Sequence, residues 1–330
     1  MATQQDFVNA VELIDKSNNV LVTSHTRPDG DACGCVLAIC TALEQLGKKA
    51  QPMFLSAIPE WYRFLFESEP AVIGEDITTE ELSGAGYDLV VIVDTNSYVQ
   101  LAKFDEWLRA SDVPVLVIDH HVTSDNLGDV EVIDTTASAA GEIVYDLFKR
   151  AGWELGGKTA RDLFVAIATD TGWFRFRNAD ARVYRYAAEL IERGVDPAAV
   201  HEQIYQNFSP ARMALLTRML NNLTLEFDKR VAVQYLLQED FRAAGASMSD
   251  TEDLIDECQR VSTVQVAVIF VELGNGKFKI SLRSKTNVNV REIAQLYGGG
   301  GHTVAAGATL DMPLEQAREE ILGHIAKQLD

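Results

Sequence analysis

Two continuous apolar runs constrain this chain more than any other feature. "YDLVVIVDTN" (Tyr87 to Asn96) and "VPVLVIDHH" (Val113 to His121) show no alternation of polar and apolar residues, so each must be buried on both faces. Strands of that kind belong to parallel sheets covered by helices. Parallel neighbours need a crossover between them, and "YVQLAKFDEWLRAS", which joins the two runs, is helical in period. "NVLVTSH" (Asn19 to His25) and "KKAQPMFL" read as further strands. Between them "DACGCVLAICTALEQLG" (Asp31 to Gly47) is a helix, apolar on most faces and stopped by glycine. Strand, helix, strand in this order predicts a doubly wound α/β domain with a mostly parallel sheet.

Downstream, "SAAGEIVYDLFKRAG" and "KTARDLFVAIATDTG" are strong helices, the first with Ser138 as its expected N-cap and Glu142 following. From Arg182 to Asn222 the pattern stays helical. Then the texture changes. "LTLEFDKRVAVQYL" reads as a hairpin around Asp228-Lys229, and "STVQVAVIFVELGNGKFKISLRS" as a second, turning at Gly274 to Gly276. A helix from near Val290, the run "GGGG" and a last helix from Pro313 complete a smaller α+β domain. The expected organisation is a catalytic α/β domain over 1–190, a helical linker over 191–222 and the α+β domain over 223–330, with the active site in the cleft between the two domains. At 330 residues each domain has room for its own core.

Composition narrows the function classes. No apolar run approaches the ~20 residues of a membrane span. The start, "MATQQDFVNAVELIDK", is polar and amphipathic and does not read as a signal peptide. Cys33, Cys35, Cys40 and Cys258 form no disulfide framework, which points to a reducing cytoplasm. A net charge of −20 argues against a protein that coats long nucleic acid through a broad basic face. A small phosphorylated substrate remains open.

Metal-binding side chains follow apolar elements at four places: "SHTRPDGDA" with His25, Asp29 and Asp31; "VIVDTN" with Asp94; "VIDHH" with Asp119, His120 and His121; and "AIATDTG" with Asp170. Loops at the carboxyl ends of parallel strands converge on one crevice, which accommodates the first three. Asp170 ends a helix and must be brought in by packing. Pro-Asp-Gly-Asp is expected to build a tight turn with both acids outward. A lone Asp after a strand is most often a cap, and adjacent histidines can be a loop accident; it is the four motifs together that point to a metal centre. Carboxylates mixed with imidazoles suit a first-row ion such as Mn²⁺ better than calcium or structural zinc. Six ligands exceed what one catalytic ion needs, whereas two ions sharing a bridging carboxylate use them all and can activate a water for attack on phosphorus. Cys33 and Cys35 form C-x-C, but residues two apart on a helix point roughly 200° apart, so they read as small buried residues.

Taken together these motifs resemble the four motifs of the DHH phosphoesterase superfamily, in its order, and "SLRSK" and "GGGGH" resemble its associated second domain. The resemblance covers essentially the whole chain and is strongest to the bifunctional oligoribonuclease/pAp phosphatases, or nano-RNases. It implies a cytoplasmic, manganese-dependent enzyme that trims oligoribonucleotides of a few residues and dephosphorylates 3′-phosphoadenosine 5′-phosphate (pAp), acting on no long nucleic acid and at no membrane; a homodimer is compatible with it. It also implies that His25, Asp29 and Asp94 hold one ion and Asp31, Asp94, His120 and Asp170 the other, with Asp94 bridging. His121 then faces the scissile phosphate and Asp119 orients an imidazole. Val122 stands where many relatives have proline.

Metals alone would hydrolyse many phosphate esters, so specificity is expected from elsewhere. In "YGGGGHT" the run Gly299, Gly300, Gly301 lets backbone N–H groups approach a phosphate, with His302 at its end. Arg283, with Ser284 beside it, sits at an expected strand end where its guanidinium could hold a phosphate bidentately. "WFRFRN", just after Asp170, is expected to place Arg175 near the metals as a substrate-binding residue; base stacking on its aromatic residues is possible there, but Trp173, Phe174 and Phe176 are expected in the core. The alternatives are a phosphodiesterase for linear dinucleotides (pApA, pGpG) and a nucleotide-binding regulator without catalysis. Less favoured are an inorganic pyrophosphatase, which needs more basic residues than "SLRSK" supplies, and a processive exonuclease, which needs a basic channel.

Overall fold

The computed structural model describes residues 2–329, and the chain divides between Asn207 and Phe208. The first unit opens with α1 (Gln4–Lys16), β1 (Asn19–Thr23), α2 (Gly30–Gln45), β2 (Lys49–Phe54), β3 (Ala71–Val72), α3 (Thr79–Gly84) and β4 (Leu89–Val93). It continues through α4 (Phe104–Ala110), β5 (Val115–Asp119), β6 (Val130–Ile133), α5 (Ala140–Ala151), α6 (Gly157–Asp170), α7 (Ala181–Glu192) and α8 (Pro197–Tyr205). Its six strands form an all-parallel sheet in the order β3-β2-β1-β4-β5-β6. Both faces are covered, as the unbroken apolar runs require. Leu89, Val91 and Val93 of β4 pack into the core formed with α1, α2, α5 and α6, while Val90 and Ile92 meet Leu82 of α3 and Phe104, Trp107 and Leu108 of α4.

One helix pair is packed unusually closely. A Cβ added at Gly34 of α2 would lie 2.2 Å from the carbonyl oxygen of Asp162 in α6, and one at Gly30 would lie 2.5 Å from the Thr169 side chain. Only glycine allows this approach, and it brings the start of α2 against the end of α6. Cys33, Cys35 and Cys40 of the same helix are buried and form no disulfide, and the Cys35 thiol donates to Asp31 Oδ1 at 3.3 Å. Ser138 is not the N-cap of α5; that position is Ala139. The Ser138 N–H donates to Glu142 Oε1 at 2.5 Å, and its hydroxyl donates to the Asn178 carbonyl.

The second unit comprises α9 (Pro210–Asn221), β7 (Thr224–Glu226), β8 (Val231–Leu236), α10 (Gln238–Ala244), α11 (Asp256–Gln259), β9 (Val266–Glu272), β10 (Phe278–Ser284), α12 (Val290–Gln295), β11 (Gly300–Gly301), β12 (Ala305–Leu310) and α13 (Leu314–Ala326). Its sheet runs β11-β12-β10-β9-β8-β7. Both expected hairpins form; the first turns through Phe227, Asp228 and Lys229, all at positive φ. β8 and β9 pair in parallel, so a crossover through α10 and α11 joins the two hairpins, a connection the sequence pattern does not announce. Helices α12 and α13 cover one face of this sheet, and α9, α10 and α11 the other. The span expected as a linker is divided: Val200 and Ile204 of α8 belong to the core of the first unit, Leu215 and Met219 of α9 to that of the second. Among the described residues no helix is long and apolar enough to cross a membrane.

Candidate metal centre

In the first sheet β1 leads to β2 and β3 on one side, while β4, β5 and β6 follow on the other. Loops leaving the carboxyl ends on either side of such a reversal diverge and open a crevice. His25 follows β1 there, Asp94 follows β4, Asp119 ends β5, and His120 and His121 come next. The loops are tied together. Ser24 Oγ donates to the Val93 carbonyl at 2.8 Å, and Asn96 Nδ2 donates to Ser124 Oγ at 2.9 Å. Asp94 adopts φ 60°, a conformation that a short polar side chain tolerates better than most.

His25 Nδ1 donates to the Thr26 carbonyl at 2.9 Å, and its Nε2 lies 3.3 Å from Asp94 Oδ2. His120 Nδ1 donates to the Ala137 carbonyl at 3.3 Å. Its Nε2 lies 3.3 Å from Asp170 Oδ2, 3.4 Å from Asp94 Oδ1 and 3.9 Å from Asp31 Oδ2. In both rings a backbone carbonyl takes the Nδ1 proton and leaves Nε2 toward the carboxylates, the usual way of orienting an imidazole for a metal. His121 differs: its Nδ1 donates to Asp119 Oδ1 at 2.8 Å.

The two acids of the first motif cap helices. Asp29 Oδ1 accepts the N–H groups of Asp31 and Ala32, each at 3.0 Å, at the start of α2. Asp31 accepts from Ala140 at 2.6 Å and Gly141 at 2.9 Å, capping α5 from elsewhere in the chain. Asp31 is fully buried, so the expectation that both acids point outward does not hold. Asp170 arrives through the close packing of α2 on α6.

All six expected ligands fall into one cluster. Ligand atoms lie within 4.8 Å of one another in three sets: His25, Asp29 and Asp94; Asp31, His120 and Asp170; and Asp94, His120 and His121. Asp94 Oδ1 and His120 Nε2 are buried with no hydrogen-bond partner, an arrangement that buried polar atoms avoid unless something else binds them. The donor set therefore fits divalent cations. In the third set the Nδ1 of His121 already serves Asp119, which favours the first two as the binding groups.

Protonation tells the same story. Burial opposes charge on His25, but the hydrogen bond to Asp94 and that acid's charge outweigh it, taking the imidazole up to about 10. For His120 burial is outweighed by the adjoining carboxylates of Asp170 and Asp94, which carry the imidazole up to about 12. Burial, then the charges of Asp94 and Asp170, carries Asp29 up to about 7 and raises Asp31 too. Burial likewise raises Asp170, against the nearby imidazole of His120. At Asp94 burial is overcome by His120 and His25, and its pKa falls. A divalent ion binding to these groups would displace their protons.

The remaining expected residues make contacts of other kinds. Arg175 is exposed, its Nε donating to the Gly172 carbonyl at 2.7 Å. Trp173 and Phe174 pack against the core, but Phe176 is 56% exposed, so its expected core role is corrected: its ring lies over the α-carbon of Gly172. In the second unit Arg283 is on β10, its Nε 3.2 Å from Asp256 Oδ1. The hydroxyl of Ser284 donates to the Thr286 carbonyl at 3.2 Å. Gly300 and Gly301 are an edge strand paired with β12. A Cβ at Gly299 would lie 2.1 Å from the Gly307 carbonyl oxygen, so close backbone approach accounts for that glycine. His302 is exposed and closes a tight turn, donating its N–H to Ala305 at 2.7 Å. Sequence reasoning misses the roles of Ala137, at His120, and of the α5 N–H groups, at Asp31; both are backbone contacts without a motif.

Comparison with known proteins agrees with this geometry. Residues 19–169 match the DHH family, N-terminal domain, and residues 228–329 match the DHHA1 domain. The chain is 32% identical over 315 residues to the bifunctional oligoribonuclease and PAP phosphatase NrnA of Thermus thermophilus, covering 94% of this chain and 90% of that protein. To the protein of the same name from Bacillus subtilis it is 27% identical, covering 92% of each. Among solved structures, an exopolyphosphatase-related protein from Bacteroides fragilis matches with a TM-score of 0.92 at 21% identity, covering 99% of this chain and 97% of that one. Exonuclease RecJ bound to manganese matches with a TM-score of 0.59 at 16% identity, covering 99% and 95%.

Proposed function

Because the chain belongs to the DHH family and carries a DHHA1 domain after it, we propose that it is a phosphoester hydrolase using two divalent cations, Mn²⁺ foremost, to cleave short oligoribonucleotides and to convert pAp to AMP and phosphate. The observation that carries this reading is the pair of ligand sets linked through Asp94 and His120. His25, Asp29 and Asp94 hold one ion, and Asp31, Asp94, His120 and Asp170 the other. When bound, such a pair acidifies a water and neutralises charge on the phosphoryl group. His121, fixed through Nδ1 by Asp119, meets the scissile phosphate. Mn²⁺ is favoured by the mixture of carboxylates and imidazoles.

Substrate choice follows from the relatives named for oligoribonuclease and PAP phosphatase activity. The net charge of −20 agrees with a short substrate, since a long polynucleotide track needs many cationic contacts. Arg283, Ser284, His302 and the glycine run Gly299, Gly300 and Gly301 bind substrate, with Arg175 a further cation for it. The four free, buried cysteines suit action in the cytoplasm.

The test is a hydrolysis panel in Mn²⁺ with pAp, pApA, an RNA of about five nucleotides, one of about twenty-four, and pyrophosphate. Mononucleotides from pApA and the short RNA, and phosphate from pAp, with the long RNA nearly untouched, are expected, and Asp94→Ala should abolish them all. Activity confined to pApA would replace this reading with a dinucleotide phosphodiesterase. No hydrolysis by either protein, with nucleotide binding retained, would make it a regulator.

A further inference from the structure

We propose that Arg182 is a positioning residue for the cation group of Asp31, His120 and Asp170, acting through the backbone of residues 134–139. This rests on the two-group reading above. Arg182, at the start of α7, touches no expected ligand. It spreads its guanidinium over the segment that holds two of them. Nη2 donates to the Thr136 carbonyl at 2.9 Å and Nη1 to Asp134 Oδ2 at 3.4 Å, while Nε lies 2.7 Å from Glu142 Oε2.

Each contact continues to the cluster. The Asp134 N–H donates to the Asp119 carbonyl at 3.1 Å, fixing the segment to the end of β5. Asp134 Oδ1 accepts from the Thr136 N–H at 2.9 Å, and the Asp134 carbonyl accepts from the Ala137 N–H at 3.0 Å. The Ala137 carbonyl is the group that takes the Nδ1 proton of His120. Glu142, 1% exposed, holds the Ser138 N–H through its other oxygen. Two residues further on, Ala140 and Gly141 present their N–H groups to Asp31. The Asn178 side chain closes the third side, donating to the Asp170 carbonyl at 3.1 Å while the Asn178 carbonyl accepts the Ser138 hydroxyl. One planar fork thus fixes the acceptor that sets the tautomer and tilt of His120 and the donors that aim Asp31. A lysine cannot reproduce this, because it offers a point charge rather than a planar fork whose two terminal nitrogens donate in different directions.

Orienting groups behind metal ligands typically carry tenfold to a hundredfold in affinity. Mn²⁺ titrated calorimetrically into metal-stripped full-length protein should reveal two sites in wild type. Arg182→Gln should weaken one of them by about tenfold or more and leave the other unchanged. In a His120→Ala background the same substitution should have no further effect on the remaining site. A cavity of about 140 Å³ bordered by Ala137, Glu142 and Arg182 leaves room for millimolar guanidinium to restore the affinity of Arg182→Gln, while Arg182→Lys should stay weak. If Arg182→Gln fails to fold, Glu142→Gln replaces it, with a smaller loss at the same site. Equal weakening of both sites, or unchanged affinity with only a lower melting temperature, would reduce Arg182 to a structural brace and overturn the inference. A single Mn²⁺ site in wild type would overturn the two-group reading itself.

Discussion

Gly34→Ala tests whether the closeness of two helices is what assembles the candidate metal centre. The added Cβ would lie 2.2 Å from the Asp162 carbonyl oxygen, 3.1 Å from its carbon and 3.0 Å from Ala166 Cβ. Ordinary contacts between such atoms begin near 3.5 Å, so α2 and α6 must part by about 1 Å. The atom in the way is backbone, and no rotamer change relieves it. Asp170 lies eight residues beyond Asp162 on α6, about 12 Å along a rigid rod, so it moves with the rest. Its 3.3 Å approach to His120 then opens by a comparable amount. Overpacking of this kind costs about 1–3 kcal/mol, partly offset by up to ~1 kcal/mol of helix propensity. Loss of 1 Å of alignment costs roughly a hundredfold in rate. Thermal melts should therefore show a drop of several degrees, at ~2–4 °C per kcal/mol, with Mn²⁺-dependent hydrolysis of pApA down by about two orders of magnitude. Gly323→Ala in α13, where nothing lies within 4 Å of the new atom, should be neutral or slightly stabilising. A Gly34→Ala protein melting within about a degree of wild type and hydrolysing pApA within about threefold of it would refute the reasoning.

Metal-free stability should fall with rising pH, because a raised folded-state pKa contributes stability that is present below the unfolded value and lost above it. The windows are 3.8 to about 7 for Asp29 and 6.5 to about 10 for His25. Melting temperatures in chelator should decline between about pH 5 and about pH 9, and the increment from Mn²⁺ should grow over the same range; a flat profile counts against these raised values. Asp119→Asn should lower kcat about a hundredfold or more by removing the carboxylate charge beside His121, with Mn²⁺ affinity nearly unchanged; parallel loss of affinity would give Asp119 a structural role instead. Gly299→Ala should destabilise the second unit by about 1–3 kcal/mol in a denaturant melt, through its clash with Gly307. Gly300→Ala, with open space around the new atom, should leave stability alone and raise KM if this strand binds phosphate; an unchanged KM removes it from the substrate site.

How much of the fold is legible in the sequence depends on how local each signal is. β4 and β5 are legible because burial on both faces leaves a continuous apolar run, and the residues ending them inherit their position from the strand. His25, Asp94 and His120 therefore come with the fold. Asp170 is legible as a motif, but its arrival depends on the Gly34–Asp162 contact between helices far apart in sequence. Ser138 is a misleading N-cap for α5 for a similar reason: the carboxylate that caps the helix is Asp31, 109 residues before Ala140. In the second unit α10 and α11 span seven and four residues, too few to show a helical period, so the parallel crossover between β8 and β9 leaves no trace in the pattern. Phe176 misleads because an aromatic after a buried helix end is usually core, whereas here Gly172, Trp173 and Phe174 all take positive φ and turn the chain outward.

The capping roles of Asp29 and Asp31 also bear on how the cluster can exist before a cation arrives. A carboxylate oxygen has two lone pairs. At Asp29 one oxygen accepts both N–H groups and leaves the other whole; at Asp31, Oδ1 accepts the Gly141 N–H and the Cys35 thiol, while Oδ2 accepts only the Ala140 N–H and retains a lone pair. The same side chains can therefore hold helix ends and still serve a metal. Both helices point their N-termini at the cluster, each bringing roughly half a positive charge, so part of the repulsion among Asp29, Asp31, Asp94 and Asp170 is offset by backbone that is always present. The protons on the imidazoles offset more. What remains is a site negative enough to attract divalent ions, and the positive helix ends that steady the aspartates are equally suited to a phosphate brought beside them.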